Sequence, residues 1–386
     1  MVKFAHISDI HLGGWKQQPM QDLNFASFRK AMDICINSKL DFILFAGDIF
    51  DSAYPSIEIL KETFAEFKRI KEAKIPCFII AGSHDYSVSG KTFLDVLEKA
   101  GFCKNVAKID ETEEKIILNP IIHEGVAIYG YPGKKSGLEI PDLRKMKLNE
   151  APGMFKILML HTTIDKAKGG LPIDAIETNL LPKADYYALG HLHIDFKYEN
   201  FIYPGPVFPN NFAELEDLKY GSFYIVDTDS NNPLEKIILK IKESVQLTIQ
   251  IENALEATSE IIQKLEKENI EDKIVLLRLC GELKQGKNSD IKFSQIEEYV
   301  ESKKAYFLLK NTHNLKTKEV ELEIEIEDKE NIEEETIKVY TEQNPSDFDS
   351  LITQLINSIS IEKQEGEKTE IFNTRVIEEA KRVLKF

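Results

Sequence analysis

Aspartate and histidine recur in this sequence in the pattern of metal ligands. Asp9-x-His11, Asp48 after Gly47, the run Gly82-Ser83-His84-Asp85, a single His161 and Gly190-His191-x-His193 hold five of the chain's eight histidines. Carboxylate oxygens together with imidazole nitrogens suit borderline divalent ions such as manganese, zinc or iron, whereas an all-oxygen set would point to magnesium or calcium. No cysteine falls in the set. A single aspartate can bridge two ions about 3.5 to 4 Å apart, the spacing that clamps the attacking and leaving oxygens of a phosphate ester. Asp48, central in the order, is the candidate bridge. A glycine ahead of several of these residues lets backbone pass close to an ion with no β-carbon in the way. Taken singly, a histidine near a strand end is more often a hydrogen-bonded core or surface residue, and Asp after Gly a turn or cap. The ordered set carries the reading. His6, inside an apolar run, and His123 and His313, outside the pattern, read as structural.

Positioning such residues requires strands whose ends meet. Up to about residue 240, short apolar runs at 2–8, 41–46, 77–81, 126–131, 156–160, 186–189 and 221–226 alternate with helical patterns, the signature of α/β layering. Five of these runs are followed within a few residues by the metal-type side chains, and in an open α/β sheet the carboxyl ends of strands converge on one ligand-binding edge. Ile57, Leu60, Phe64, Phe67 and Ile70 place one apolar stripe on a helix, and Gly101 follows residues 92–100 as a helix stop. From 241 to 318 the order becomes strand, helix, strand, helix, strand, a small separate α+β module. Residues 319–345 are rich in Glu and read as a linker. Residues 346–386 hold two amphipathic helical patterns separated by a polar turn at 363–368.

Composition narrows the class. A chain of 386 residues exceeds what one hydrophobic core usually serves, and 42% apolar with 30% charged residues describes a folding, soluble protein. No apolar run approaches the ~20 residues that cross a bilayer, and the first apolar segment runs into polar residues rather than a cleavage site. A cytoplasmic protein with no membrane partner is the expectation. Cys35, Cys77, Cys103 and Cys280 stand singly, as buried reduced thiols would. The net charge of −16 argues against a nucleic-acid partner, since phosphate binding normally shows as a basic surplus. Residues 311–386, however, hold 19 acidic and 10 basic residues, a net of −9, so most of the excess lies in the final fifth. Carboxylates that hold divalent ions would be neutralised as well.

The ordered motifs resemble the calcineurin-like metallophosphoesterase superfamily (DxH, GD, GNHD or GNHE, a lone H, GHxH) over about residues 3–210. More narrowly, AHISDIHLG, FAGDIFDSAYPS, GSHDYSVSGKTFLDVLEKAG and YYALGHLH resemble the SbcD type of the meiotic-recombination-eleven nuclease family. The resemblance implies an α/β fold: a four-layer β-sandwich flanked by helices, with a small α+β capping domain and a C-terminal helical segment. Residues 1–240 would be the nuclease domain and 241–318 a capping domain that orients DNA, the alternative being a stabilising add-on. Asp9, His11, Asp48 and His193 would hold one ion, and Asp48, Ser83, His161 and His191 the second. His84 would act on the scissile phosphate without ligating metal. Two divalent ions, Mn2+ in this family, and a metal-bridging hydroxide would hydrolyse DNA as a 3′ to 5′ exonuclease and single-strand endonuclease of a double-strand break repair complex, in the cytoplasm at the nucleoid.

Ser83 departs from the family's Asn and offers a shorter, weaker donor; Asp51 stands where many relatives have His, although SbcD-type members share the Asp. The basic loop residues Lys134, Lys135, Arg144, Lys145 and Lys147 would contact phosphates or simply be solvated surface. By position and amphipathicity the terminal helices resemble the helix-loop-helix that binds the coiled coil of an SMC-like ABC ATPase of the SbcC type, through Leu351, Ile352, Leu355, Ile356, Val376, Ile377 and Val383. Packing back on the chain's own domain is the alternative. The family homodimerises through nuclease-domain helices, and Phe25, Phe28, Ala31 and Met32 fit that role or a core role. Two other functions stay open. One is a generic phosphoesterase on nucleotides or small phosphodiesters; the GDxxDRG of protein phosphatases is absent, GDIFDSA standing in its place. The other is a DNA-tethering scaffold that Ser83 has weakened catalytically.

Overall fold

The computed structural model of the chain describes residues 2–86, 92–112, 114–170, 172–317, 351–361, 363 and 369–384. It divides into two units, residues 1–316 and 317–386. In chain order the first carries β1 (Lys3–Ile7), α1 (Gln18–Asn37), β2 (Phe42–Ala46), α2 (Ile57–Glu72), β3 (Cys77–Ile80), α3 (Phe93–Lys99), β4 (Lys104–Asn105), β5 (Ile109–Glu111), β6 (Ile116–Leu118), β7 (Ile121–His123) and β8 (Val126–Tyr131). There follow α4 (Ile140–Leu143), β9 (Met146–Leu148), β10 (Phe155–His161), β11 (Tyr186–Gly190), β12 (Asp195–Tyr198), β13 (Phe201–Pro204), α5 (Phe212–Leu218), β14 (Gly221–Asp227) and β15 (Leu234–Leu239).

Among the described residues these strands build two six-stranded sheets, ordered β15-β14-β1-β2-β3-β4 and β12-β13-β11-β10-β8-β7, and a small sheet β5-β6-β9. The inner strands of both large sheets run parallel, with antiparallel strands appended: β14 and β15 in the first, β12 and β7 in the second. Period-two alternation decides which side chain enters which layer. Phe4, Phe42, Leu44, Phe78 and Ile80 from one sheet meet Ile128, Ile157, Met159 and Ala188 from the other in a core between the sheets. There Phe4 and Phe42 stack at 5.1 Å, and Phe42 meets Phe78 edge-on at 5.6 Å. Truncating a buried aromatic of this kind costs about 3–5 kcal/mol. The opposite face of the first sheet packs under α1, α2 and α3, and that of the second under the segments around Ile140, Leu143, Ile164 and Ile176. Helix, sheet, sheet and outer cover make four layers, the expected β-sandwich.

One expectation about the helices changes and an open one narrows. Ile57 opens the stripe on α2 but lies 78% exposed in its first turn, whereas Phe67 and Ile70 are buried. Phe28, Ala31 and Met32 of α1 are also buried, in the core under the first sheet, with Phe25 packed against it. Phe28, Ala31 and Met32 are therefore spent on the chain's own core, the second of the two roles expected of them, while Phe25 is half-buried. Gly101 does follow α3, whose Thr92 and Asp95 form a capping box, and its φ of +71° is the left-handed turn that suits glycine.

The α+β module comprises β16 (Ser244–Gln250), α6 (Ala254–Leu265), β17 (Ile274–Leu283), α7 (Phe293–Ser302) and β18 (Phe307–Thr317), with the sheet ordered β16-β17-β18. It has its own core, including Leu247, Ile261, Leu277 and Ile296. A second cluster joins it to the sandwich, where Ile274, Leu276 and Leu309 meet Trp15, Met20, Leu23, Phe208 and Leu215.

In the second unit, α8 (Ile352–Ile359) and α9 (Thr369–Leu384) lie against each other. Leu351, Ile352, Leu355, Ile356, Val376 and Val383 are half-buried and Ile377 is exposed. The expected linker at 319–345 and all of the expected turn but Lys363 lie outside the described residues. No helix among the described residues is long and apolar enough to cross a membrane.

Candidate metal centre

Parallel pairing of β1, β2 and β3, and of β10 and β11, brings the ends of five strands to one edge. Two ligand loops there are joined by backbone: Ile10 and His11 donate to the Asp48 carbonyl at 2.8 and 3.0 Å, and Leu12 donates to that of Ile49 at 3.0 Å. Asp9, His11, Asp48 and His191 all hold positive φ, of 51°, 47°, 50° and 95°. Non-glycine residues in this region cost about 1–3 kcal/mol each and persist where surrounding structure fixes them.

The imidazoles converge in a defined tautomer. His11 Nδ1 faces Asp51 Oδ1 at 3.1 Å, His161 Nδ1 faces the Ala46 carbonyl at 2.9 Å, and His193 Nδ1 faces Glu214 Oε1 at 2.9 Å. Each acceptor places the ring proton on Nδ1 and leaves the Nε2 lone pair free to ligate. Those lone pairs meet one another and two buried carboxylates. His11 Nε2 lies 2.9 Å from His193 Nε2 and 3.5 Å from Asp48 Oδ2, and His193 Nε2 lies 3.9 Å from Asp9 Oδ1. His161 Nε2 is 3.0 Å from Asp48 Oδ2, yet out of hydrogen-bonding alignment, so this buried nitrogen has no hydrogen-bond partner. Two lone pairs facing each other at 2.9 Å, beside an orphaned third, call for a cation. The donor set fits divalent metal.

Among the described residues three groupings have their ligand atoms within 4.8 Å of one another: Asp9, His11 and His193; Asp9, Asp48 and His161; and His11, Asp48 and His84. Asp9, His11 and Asp48 each belong to two. His191 adjoins His161, rings 5.2 Å apart, and its amide donates to Asp9 Oδ1 at 2.9 Å. Ser83 is buried and lines the neighbouring cavity together with His84 and His191. A β-carbon at Gly47, where φ is +91°, would lie 2.3 Å from His161 Nδ1, and one at Gly190 would lie 2.2 Å from the Ala46 carbonyl, so both glycines make room for His161 and its support.

Charge at the edge follows from burial against pairing. Burial opposes a proton on His161, but the Asp48 and Asp9 carboxylates hold this imidazole up at about 10, so a proton and a metal cation compete for its Nε2. Burial and the neighbouring His161 bring His191 down to about 4. Asp48 stays far below the usual carboxylate range despite its burial, because His161 and His11 oppose it. His84 is raised to about 9, chiefly by the Asp51 carboxylate, 3.4 Å from its Nδ1. That Nδ1 also lies 2.9 Å from the Asp51 carbonyl, while the His84 amide donates to Asp48 Oδ1 at 2.8 Å. His84 thus stands over the edge, half-exposed, on a cavity of about 1180 Å³ also lined by Tyr54, Tyr86, Lys135, Thr163 and Ile173.

Supporting residues were harder to see in the sequence. Asp85 accepts from the Ile49, Phe50 and Gly82 amides at 3.2, 3.0 and 3.1 Å and so ties the loops after β2 and β3 together. Glu214 orients His193; its only sequence signal is the Asn211-x-x-Glu214 spacing of a capped helix start. Of the basic loop, Lys134 pairs with Asp142 at 2.6 Å and Arg144 with Glu177 at 3.3 Å, both neutralised by their own surface. Lys145 and Lys147 are exposed, and Lys135 lines the cavity. The four cysteines are free, three of them buried.

Residues 2–195 match the calcineurin-like phosphoesterase family. That span is half of the chain, and the chain belongs to this family. Several of its relatives carry one name. The DNA double-strand break repair protein Mre11 of Methanocaldococcus jannaschii is 29% identical over 69% of this chain and 74% of its own length. Mre11 of Sulfolobus acidocaldarius is 29% identical over 82% of this chain and 86% of its own length. Mre11 of Archaeoglobus fulgidus is 28% identical over 70% of this chain, which spans 65% of that relative.

Proposed function

We propose that the chain is a two-metal DNA nuclease of the Mre11 type, acting as a 3′ to 5′ exonuclease and single-strand endonuclease in double-strand break repair. The observation that carries the reading is the convergence of three Nε2 lone pairs on Asp9 and Asp48, with His84 standing beside them on an open cavity. In this reading Asp9, His11, Asp48 and His193 hold one divalent ion, and Asp48, Ser83, His161 and His191 the other. Mn2+ matches their mixed oxygen and nitrogen donors. The ions supply Lewis acidity at the scissile phosphate.

The chain's own groups do the rest. His84, held by Asp51 in its protonated form, offers its ring proton to the leaving oxygen. Lys135 gives the cavity a cation for the incoming backbone. The α+β module serves as the cap that orients DNA, and α8 and α9 as the docking hairpin for the coiled coil of an SMC-like ATPase, in a complex built on a homodimer.

The test is cleavage of end-labelled duplex and single-stranded DNA by the purified chain with Mn2+, beside the variant His84→Ser. The reading expects 3′-end shortening that falls about 10²–10⁴-fold in the variant, with DNA binding retained. Hydrolysis of small phosphodiesters alone would leave a generic phosphoesterase, and bound DNA with no cleavage in either protein a scaffold.

A further inference from the structure

Helix α5 is seven residues long, yet three of them in succession face three different tasks. Glu214 accepts His193 Nδ1 at 2.9 Å through Oε1 and the Asn210 amide at 2.8 Å through Oε2, so its carboxylate is itself held in place. Leu215 is buried in the cluster where the sandwich meets the α+β module. Glu216 takes the Arg278 guanidinium of β17 in a two-pronged pair, Nε to Oε1 at 3.1 Å and Nη2 to Oε2, both side chains largely buried. Arg278 also lies over the Phe212 ring, 5.1 Å from its centre, and Gln246 of β16 donates to the Glu216 carbonyl at 2.8 Å. The module therefore grips both ends of α5, while the middle of the helix sets the angle of an imidazole at the metal centre.

The geometry points to Glu214 as the positioning residue of His193 and to α5 as a link through which the seating of the α+β module on Glu216 and Phe212 sets the metal affinity of that centre. A carboxylate on the far nitrogen of a ligating imidazole fixes its tautomer and direction, and losing one weakens metal binding about 10–100-fold. A planar guanidinium paired at both nitrogens defines direction as well as distance, which a single point charge does not. A shift of β17 relative to the sandwich would thus reach His193 through one short rigid helix. The inference rests on the metal-centre reading above but not on DNA being the substrate.

It is tested by calorimetric titration of the full chain with Mn2+, alongside thermal unfolding of the metal-free protein, for wild type, Glu214→Ala, Glu214→Gln, Arg278→Ala and Arg278→Lys. Glu214→Ala should weaken one of the two binding events about 10–100-fold, with Glu214→Gln, which keeps an acceptor oxygen, in between. Arg278→Ala, remote from the ions, should weaken the same event several-fold, and Arg278→Lys less. Lower metal-free melting temperatures with wild-type Mn2+ affinity in Glu214→Ala would mean a merely structural helix and overturn the proposal. Unchanged affinity in Arg278→Ala would overturn the link to the module. Absence of Mn2+ binding in the wild type would instead bring down the metal centre itself, and this inference with it.

Discussion

Two buried histidine environments lie in the same sandwich and do opposite things. In the interior, His6 of β1 has both ring nitrogens satisfied, Nδ1 by the Tyr186 hydroxyl at 2.9 Å and Nε2 by the Leu189 carbonyl at 3.2 Å. Burial pushes its pKa down to about 3, so it stays neutral. At the carboxyl edge, His161 of β10 is equally buried, but only Nδ1 has a hydrogen-bond partner, and two carboxylates press on the rest of the ring. Burial is common to both. What separates a structural imidazole from a ligand is whether the second nitrogen meets a neutral partner or a surplus of negative charge.

The largest expected effect that tests this contrast is Asp48→Asn. Removing the charge shared by the His11 and His161 sides should lower hydrolysis of a small phosphodiester by about 10³-fold, corresponding to about 4 kcal/mol, and abolish at least one calorimetric Mn2+ event. A variant that keeps both would remove Asp48 from the centre. Next, Mn2+ at about 100 times its dissociation constant should stabilise the wild type against urea by about 2.7 kcal/mol and the Asp48→Asn protein by far less. Third, His6→Leu should lose about 1–3 kcal/mol of stability, because the Tyr186 hydroxyl and Leu189 carbonyl lose a buried partner. Its Mn2+ affinity should stay within about twofold of wild type by calorimetry, and a larger loss would erase the distinction between the two environments.

The last effect concerns pH. A histidine whose folded pKa lies below its unfolded value of 6.5 contributes stability that is present above 6.5 and lost as pH falls toward about 3. His6 should therefore add a slope of at most about 1.4 kcal/mol per pH unit across that window. Denaturant melts of His6→Leu should be flatter there than those of the wild type.

The sequence made the sandwich and its ligand edge legible because long parallel strands are apolar on both faces and end abruptly in Asp, His and Gly. Strands of three or four residues, such as β5, β6, β9 and β13, are too short to show a period, and none was expected there. The supports of the ligands were hidden for another reason. His161 rests on the carbonyl of Ala46, which any residue supplies, and His193 on Glu214, 21 positions away and ordinary in composition. Helix α1 was ambiguous between core and interface because both use the same apolar spacing; only the packing of Phe28 and Met32 under the first sheet decides it.

The ladder that continues past β1 and β2 into their ligand loops has a bearing on how this centre can change. Because Ile10, His11 and Leu12 lean on the backbone of Asp48 and Ile49, the distance between the first two donors is a property of the main chain. Side chains can then be exchanged on a fixed lattice of positions, altering which ion is preferred without redrawing the site. An inserted residue in either loop would have the contrary effect, throwing both donors out of step at once.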